Sequence, residues 1–432
     1  MCRTGSRVLA FGVLVIPVLA ALAAPAPAEV PGSGPGSTPA PEYLARLGAD
    51  RWHTAGVRGK GVKVAVLDTG FRGWRDQLGK TLPANVTARS FRRDENLEFR
   101  DSQHGILCGE VVHNVAPDAE ILFANWEPGH EDQFLSAVRW AKEQGARVVS
   151  VSVIMPNWSD GQGGGEVHHA LSDLLGSGDH STDLACFASA GNTTERHWAG
   201  SFRDDGNGWH EWAAGKTDNG LRPWAGEDTV MVELYGRPGG AYELVVVDDT
   251  GREIGKEATD PELKDRLSAA VRFNPESGRS YRVRVRHVSG PAGEFHVTTT
   301  FGSLEMTTAG ANVCFPGDGN EVVAVGAVDS EGHRQPYSAC GTNLRAVKPD
   351  LSAVVPVPTV LRSRWFGGTS AACPQVAAVA TLCLSRHPDW SPTRVREALR
   401  TAATDLGPPG PDPETGFGLV HVPAENLAGL SR

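Results

Sequence analysis

Three short blocks, far apart in the chain, supply the side chains that acyl transfer by a hydroxyl needs. They are Val64-Ala65-Val66-Leu67-Asp68-Thr69-Gly70, His104-Gly105 and Gly368-Thr369-Ser370-Ala371-Ala372-Cys373-Pro374. A serine hydroxyl alone is a weak nucleophile. It becomes reactive when a histidine takes its proton and an aspartate holds the imidazole in the right tautomer. Asp68, His104 and Ser370 are the candidates for those roles. No single Asp, His or Ser carries the reading; their order and surroundings do.

Each block implies an element that positions its residue. Val62 to Leu67 is a nearly continuous apolar run, as in a parallel strand buried on both faces. Asp68 would then stand at its carboxyl end, where open α/β sheets place their sites. His104 opens a stretch to His113 that reads as a helix. Ser370 follows Gly367-Gly368 and precedes a run of small apolar residues to Ala380, a helix suited to the middle of a domain. A serine at such an amino terminus has its backbone N–H free to meet an oxyanion. Between these blocks strand and helix signals alternate. Glu120 to Trp126 and Val148 to Ile154 read as strands, Asp132 to Gln144 and Glu166 to Leu175 as helices. That alternation predicts a parallel sheet with helices on both faces.

The order Asp, His, Ser, with the residues around each, resembles the subtilisin-like serine peptidases. The resemblance covers Tyr43 to about Asn192 and Asn312 to about Ala424. It implies an α/β fold, a parallel-sheet catalytic domain, and Asp68, His104 and Ser370 as its catalytic triad. It also implies an oxyanion hole from the Asn192 side chain and the Ser370 N–H, since Ala190-Gly191-Asn192 ends a strand as in that family. Ser150, Val151 and Ser152, with Ala190 and Gly191, are the implied substrate-binding residues. Two departures stand out. Ala371 replaces the usual Met after the nucleophile, and Val153-Ile154 replaces a Gly that shapes the pocket before the scissile bond, narrowing it. The spacing from His104 to Cys108 resembles the branch with a free cysteine beneath the catalytic histidine.

Composition and the ends set the remaining expectations. Of 432 residues, the first 28 read as a secretory signal peptide: Arg3 and Arg7, an apolar run from Val8 to Ala24, then Ala26-Pro27-Ala28. The protein is therefore expected to be secreted, without stable membrane insertion after cleavage. Residues 29–41 form a Pro/Gly/Ser linker, 42–192 and 312–432 the two parts of the catalytic domain, and 193–311 an inserted all-β sandwich domain. No room is left for the inhibitory prodomain common in the family. A formal net charge of −10 argues against nucleic acid as a partner. A protein or peptide substrate and a monomeric state are expected.

No cofactor is required by this chemistry and no metal residue is assigned. Asp204-Asp205-Gly206-Asn207-Gly208 reads first as a turn, with structural calcium as the alternative. Strand signals at Thr229–Leu234, Tyr242–Val247, Tyr281–Arg286 and Glu294–Thr298 alternate apolar with charged, which implies antiparallel sheets with one wet face. Cys314 and Cys340 are the favoured disulfide pair, Cys108 a free thiol, and His113, His168, His169 and His180 surface or helix-face residues. The leading function is a secreted endopeptidase. The alternatives are a catalytically silent binding protein that uses the sandwich, or a peptide ligase or macrocyclase working through the same acyl-enzyme.

Overall fold

Asp68 owes its place to the strand before it. The computed structural model describes residues 40–99, 102–226, 229–362 and 365–424. The signal-peptide reading, and the linker up to residue 39, fall outside these residues. Two short helices, α1 (Ala40–Leu47) and α2 (Ala49–Thr54), lead into β1 (Lys63–Leu67). Then come β2 (Val86–Ser90), α3 (His104–Val115), β3 (Glu120–Asn125), α4 (Glu131–Glu143), β4 (Val148–Val151), α5 (Glu166–Leu175) and β5 (Ala185–Ser189).

Nine strands follow: β6 (His197–Ser201), β7 (Asn219–Pro223), β8 (Val230–Gly236), β9 (Ala241–Asp248), β10 (Glu253–Ala258), β11 (Leu267–Phe273), β12 (Tyr281–Ser289), β13 (Glu294–Thr300) and β14 (Gly302–Leu304). The chain then returns through β15 (Val322–Val328), the short β16 (Gly341–Thr342) and β17 (Val347–Lys348), and β18 (Leu351–Val354). It ends in α6 (Thr369–Arg386) and α7 (Pro392–Ala402).

The main sheet runs β18-β15-β5-β4-β1-β3-β2, and every neighbouring pair is parallel. Strand β1 lies where the winding reverses, so its carboxyl end opens on the crevice such sheets use for ligands. Side chains of β1 alternate between two cores. Val64 and Val66 pack with α3 and α6; Ala65 and Leu67 pack with α4 and α5. The small side chains of α6 let it pass through the domain centre, buried without a break from Ala371 to Leu384.

Strands β6 to β14 make two antiparallel sheets, β10-β9-β12-β7-β14 and β11-β8-β13-β6. They close over one core that includes Trp198, Trp212, Tyr242 and Phe295, which is the β-sandwich expected. Its two connections to the catalytic part run side by side, Thr193 Oγ1 donating to the Asn312 carbonyl at 2.6 Å. The expectation of one wet face fails for the second sheet. Val232 and Leu234 of β8 face the sandwich core, but Glu233 and Tyr235, on the other face, are 2% and 1% exposed. That face packs on the turn Pro156–Trp158 of the catalytic part, where Asn157 Nδ2 donates to Ser268 Oγ of β11 at 3.2 Å. Burial pushes the Glu233 carboxyl up to about 8. The charge in the pattern marked an internal joint rather than solvent.

Cys314 and Cys340 do not pair. Both are buried free thiols, and Cys314 Sγ sits 3.6 Å from Tyr235 Oη and 3.6 Å from the Asn312 carbonyl. Among the described residues no helix is long and apolar enough to cross a membrane.

Candidate active site

The Asp68 carboxylate is fully buried and held by three donors. Its Oδ1 accepts the N–H groups of Thr69 (2.7 Å) and Gly70 (3.1 Å), and its Oδ2 accepts from His104 Nδ1 at 2.7 Å. The backbone turn after β1 thereby fixes which oxygen faces the imidazole. His104 is the first residue of α3. Gly105 beside it donates its N–H to the Gly70 carbonyl at 2.7 Å, stitching the helix start to the turn. A side chain at 105 would meet Phe71 at 2.4 Å and the Asp68 Cβ at 2.9 Å, so glycine allows this close approach. Burial works against a charged imidazole, but the Asp68 carboxylate outweighs it and holds His104 well above 6.5. The Phe366 ring stands edge-on to the imidazole, 5.6 Å between centroids.

Ser370 is the second residue of α6. Its hydroxyl donates to the Ser152 carbonyl at 3.3 Å rather than to His104. A serine hydroxyl turns freely about its side-chain bond, and catalytic hydrogen bonds tighten in the substrate complex. The Thr369 N–H goes to Asn192 Oδ1 at 3.0 Å, and the Ala371 N–H to the Gly368 carbonyl at 3.0 Å. The Ser370 N–H lies between these two, in the first turn, where helix amides lack partners of their own.

The Asn192 side chain is oriented by Thr369. Its Oδ1 accepts both the Thr369 N–H and the Thr369 hydroxyl, each at 3.0 Å. A carboxamide whose oxygen is so occupied must present its NH₂ elsewhere. Gly368, at φ 79°, brings the chain so close that a Cβ there would stand 2.9 Å from Asn192 Nδ2.

The implied substrate-binding set divides. The side chains of Ser150, Val151 and Ala190 are fully buried, Ser150 Oγ lying 3.5 Å from Cys373 Sγ. Any contact with a substrate there would be through backbone. Ser152 does reach the site: besides its carbonyl, its hydroxyl donates to the Ser370 carbonyl at 3.2 Å. Gly191, at φ 106°, donates its N–H to Thr369 Oγ1 at 3.2 Å, and a Cβ on it would lie 3.4 Å from an Ile154 methyl. Ile154 thus lies beside Gly191.

Cys108, one turn along α3 from His104, is a buried free thiol. Its Sγ lies 3.9 Å from Asp68 Oδ2 and 3.6 Å from the Ser370 carbonyl, and burial pushes its pKa up, so it stays a thiol. Ligand atoms of Asp68, His104 and Cys108 lie within 4.8 Å of one another, as do those of Asp329, Glu331 and His333 on the surface. The first group is bonded internally. In the second, Asp329 Oδ1 already accepts the N–H groups of Glu331 and His333. Asp204 and Asp205 likewise spend a carboxylate oxygen on the amides of Gly206, Gly208, Asn207 and Trp209, building the turn.

Two buried titratable groups were not seen in the sequence, the first of them tied to the His104 helix. Glu110 of α3, 0% exposed, accepts the N–H groups of Val360 and Leu361 and ties the His104 helix to the loop before Phe366. His168 is no surface residue. It is 2% exposed, with Nε2 3.0 Å from Asp318 Oδ1 and Nδ1 2.6 Å from Glu321 Oε1.

The family model described as the subtilase family (peptidase S8) matches residues 59–219 and 292–418, more than half of the chain. The chain belongs to the subtilase family. A subtilisin of Bacillus pumilus is 34% identical over 128 residues, covering 30% of this chain and 45% of the relative. Alkaline elastase YaB of a Bacillus strain is 35% identical over 130 residues, 29% and 33% of the two chains. These matches span less than half of each relative's length. The solved CspB protease of Clostridium perfringens shares the fold of this subtilase, with a TM-score of 0.63 at 16% identity over 88% of this chain and 96% of that one. The family model leaves 220–291 unmatched, inside the sandwich.

Proposed function

We propose that this subtilase is a secreted serine endopeptidase that cleaves protein or peptide substrates through an acyl-enzyme. One observation carries the reading: the buried Asp68 carboxylate holds His104 Nδ1 at 2.7 Å, leaving Nε2 to serve as the base. Ser370 Oγ attacks the peptide carbonyl while His104 Nε2 takes its proton. The carbonyl oxygen becomes an oxyanion, met by the Ser370 N–H and Asn192 Nδ2. His104 then gives its proton to the leaving amine, and water repeats the sequence to release the acyl group. Asp68 orients His104 and stabilises the imidazolium.

Ile154 beside Gly191 is proposed to narrow the pocket before the scissile bond, which favours small apolar side chains there. Secretion rests on the amino-terminal Arg3, Arg7 and the apolar run after them, and the protein is proposed to act as a monomer. A fluorophosphonate probe tests the nucleophile. Labelling that maps to Ser370 and disappears in Ser370→Ala supports a working site; a folded protein that takes no label favours the silent binding protein.

A further inference from the structure

We infer that Arg196 is a positioning residue that fixes the oxyanion donor Asn192 and ties it to the inserted sandwich. The inference rests on the peptidase reading above, and it concerns the junction where the chain leaves Asn192 for the sandwich.

Arg196 is 8% exposed and stands just before β6, where the chain enters the sandwich. Its Nε and Nη2 both donate to the Asn192 carbonyl, Nε at 2.6 Å. Two donors from one planar guanidinium leave that carbonyl little freedom to turn. The sandwich holds Arg196 in its turn. The Arg196 carbonyl accepts the N–H of Thr299 in β13 at 2.9 Å, and the Arg196 N–H closes a turn on the Thr193 carbonyl at 2.8 Å. The Trp224 ring lies over the guanidinium, 4.8 Å from it. Trp224 is itself fixed to the opposite strand connection, its N–H on the Phe301 carbonyl and its Nε1 on Ser303 Oγ, both at 2.9 Å.

Asn192 is therefore pinned at two points. Thr369 of the α6 cap sets its side chain, and Arg196 sets its main chain. An oxyanion donor works by being in place before charge develops, and losing one altogether lowers turnover about 10²–10³-fold, a magnitude taken from subtilisin itself. Misplacing a positioned group by about 1 Å can cost about 10²-fold. A loosened Asn192 falls between no effect and full loss. Such a loss belongs to the transition state, so it acts on kcat rather than KM.

The test compares wild type, Arg196→Ala, Arg196→Lys, Trp224→Ala, Asn192→Ala and the double variant Arg196→Ala/Asn192→Ala, with kcat, KM and thermal midpoint measured for each. Arg196→Ala is expected to lower kcat by about 10- to 100-fold with KM within about twofold. Arg196→Lys, which keeps the charge but not the fork, restores part of it. Trp224→Ala, at a partly exposed position, lowers kcat by a few-fold. In the Asn192→Ala background, removing Arg196 changes kcat by less than about twofold, because residues acting through one group are not additive. Equal losses in both backgrounds, or a full-rate Arg196→Ala enzyme, overturn the inference while leaving the peptidase reading intact. A folded wild-type chain that hydrolyses nothing overturns the peptidase reading, and this inference with it.

Discussion

Pro374 follows Ser370 by four positions in α6, and having no N–H it leaves the Ser370 carbonyl outside the helical ladder. That carbonyl is met from two other elements instead. The Ser152 hydroxyl donates to it at 3.2 Å and the Cys108 thiol at 3.6 Å. The helix that carries Ser370 is thus bolted to the strand end after β4 and to the helix of His104. One missing amide converts a helix position into a junction of three elements.

Ser152→Ala removes the stronger of these two donors from a partly buried carbonyl. Stability should fall by about 1 kcal/mol, the usual net worth of such a bond. Urea unfolding reads this as a lower midpoint at unchanged slope. A midpoint equal to wild type would mean that the bond contributes nothing.

The rate should depend on pH through His104. Asp68 favours the imidazolium, so the base is lost as pH falls through a value above 6.5. kcat/KM should therefore show an acid limb with its midpoint on the alkaline side of 6.5. Asp68→Asn should move that limb to lower pH and reduce kcat by about 10⁴-fold. A rate that stays flat from about pH 8 to pH 5 in a folded protein contradicts this role for His104.

His168 links stability to pH on the alkaline side. Burial opposes its charge, yet Asp318 and Glu321 raise it from 6.5 to about 9. A pKa raised by folding gives stability that is complete below the unfolded value and lost as pH rises through the folded one. The stability gap between wild type and His168→Gln should be widest near pH 6 and should shrink through about pH 9. Thermal midpoints across that range check it; a gap independent of pH would show that the imidazole is not charged in the fold.

How much of this was legible depended on whether a residue's burial followed from its neighbours in sequence. The run before Asp68 and the small residues after Ser370 are continuous, so strand and helix could be read directly. In β11, Leu267, Ala269, Val271 and Phe273 point inward, but Ala269-Ala270 in its middle blurs the period. The polar β7 gave no signal at all. Glu233 and His168 look like surface residues because their partners, the Pro156–Trp158 turn and the Asp318–Glu321 pair, are distant in sequence. The Asn192 reading came from its motif. Its attachment to Arg196 did not, since nothing local says that this arginine turns back onto the Asn192 carbonyl or that Trp224 and Thr299, distant in sequence, hold it there.

The most direct measurement is hydrolysis of unfolded casein by the wild-type protein beside Ser370→Ala. Wild type is expected to cleave casein into peptides, and the variant to be slower by several orders of magnitude at the same folded state. Equal activity in both would contradict Ser370 as the nucleophile, and no activity in either would contradict the endopeptidase.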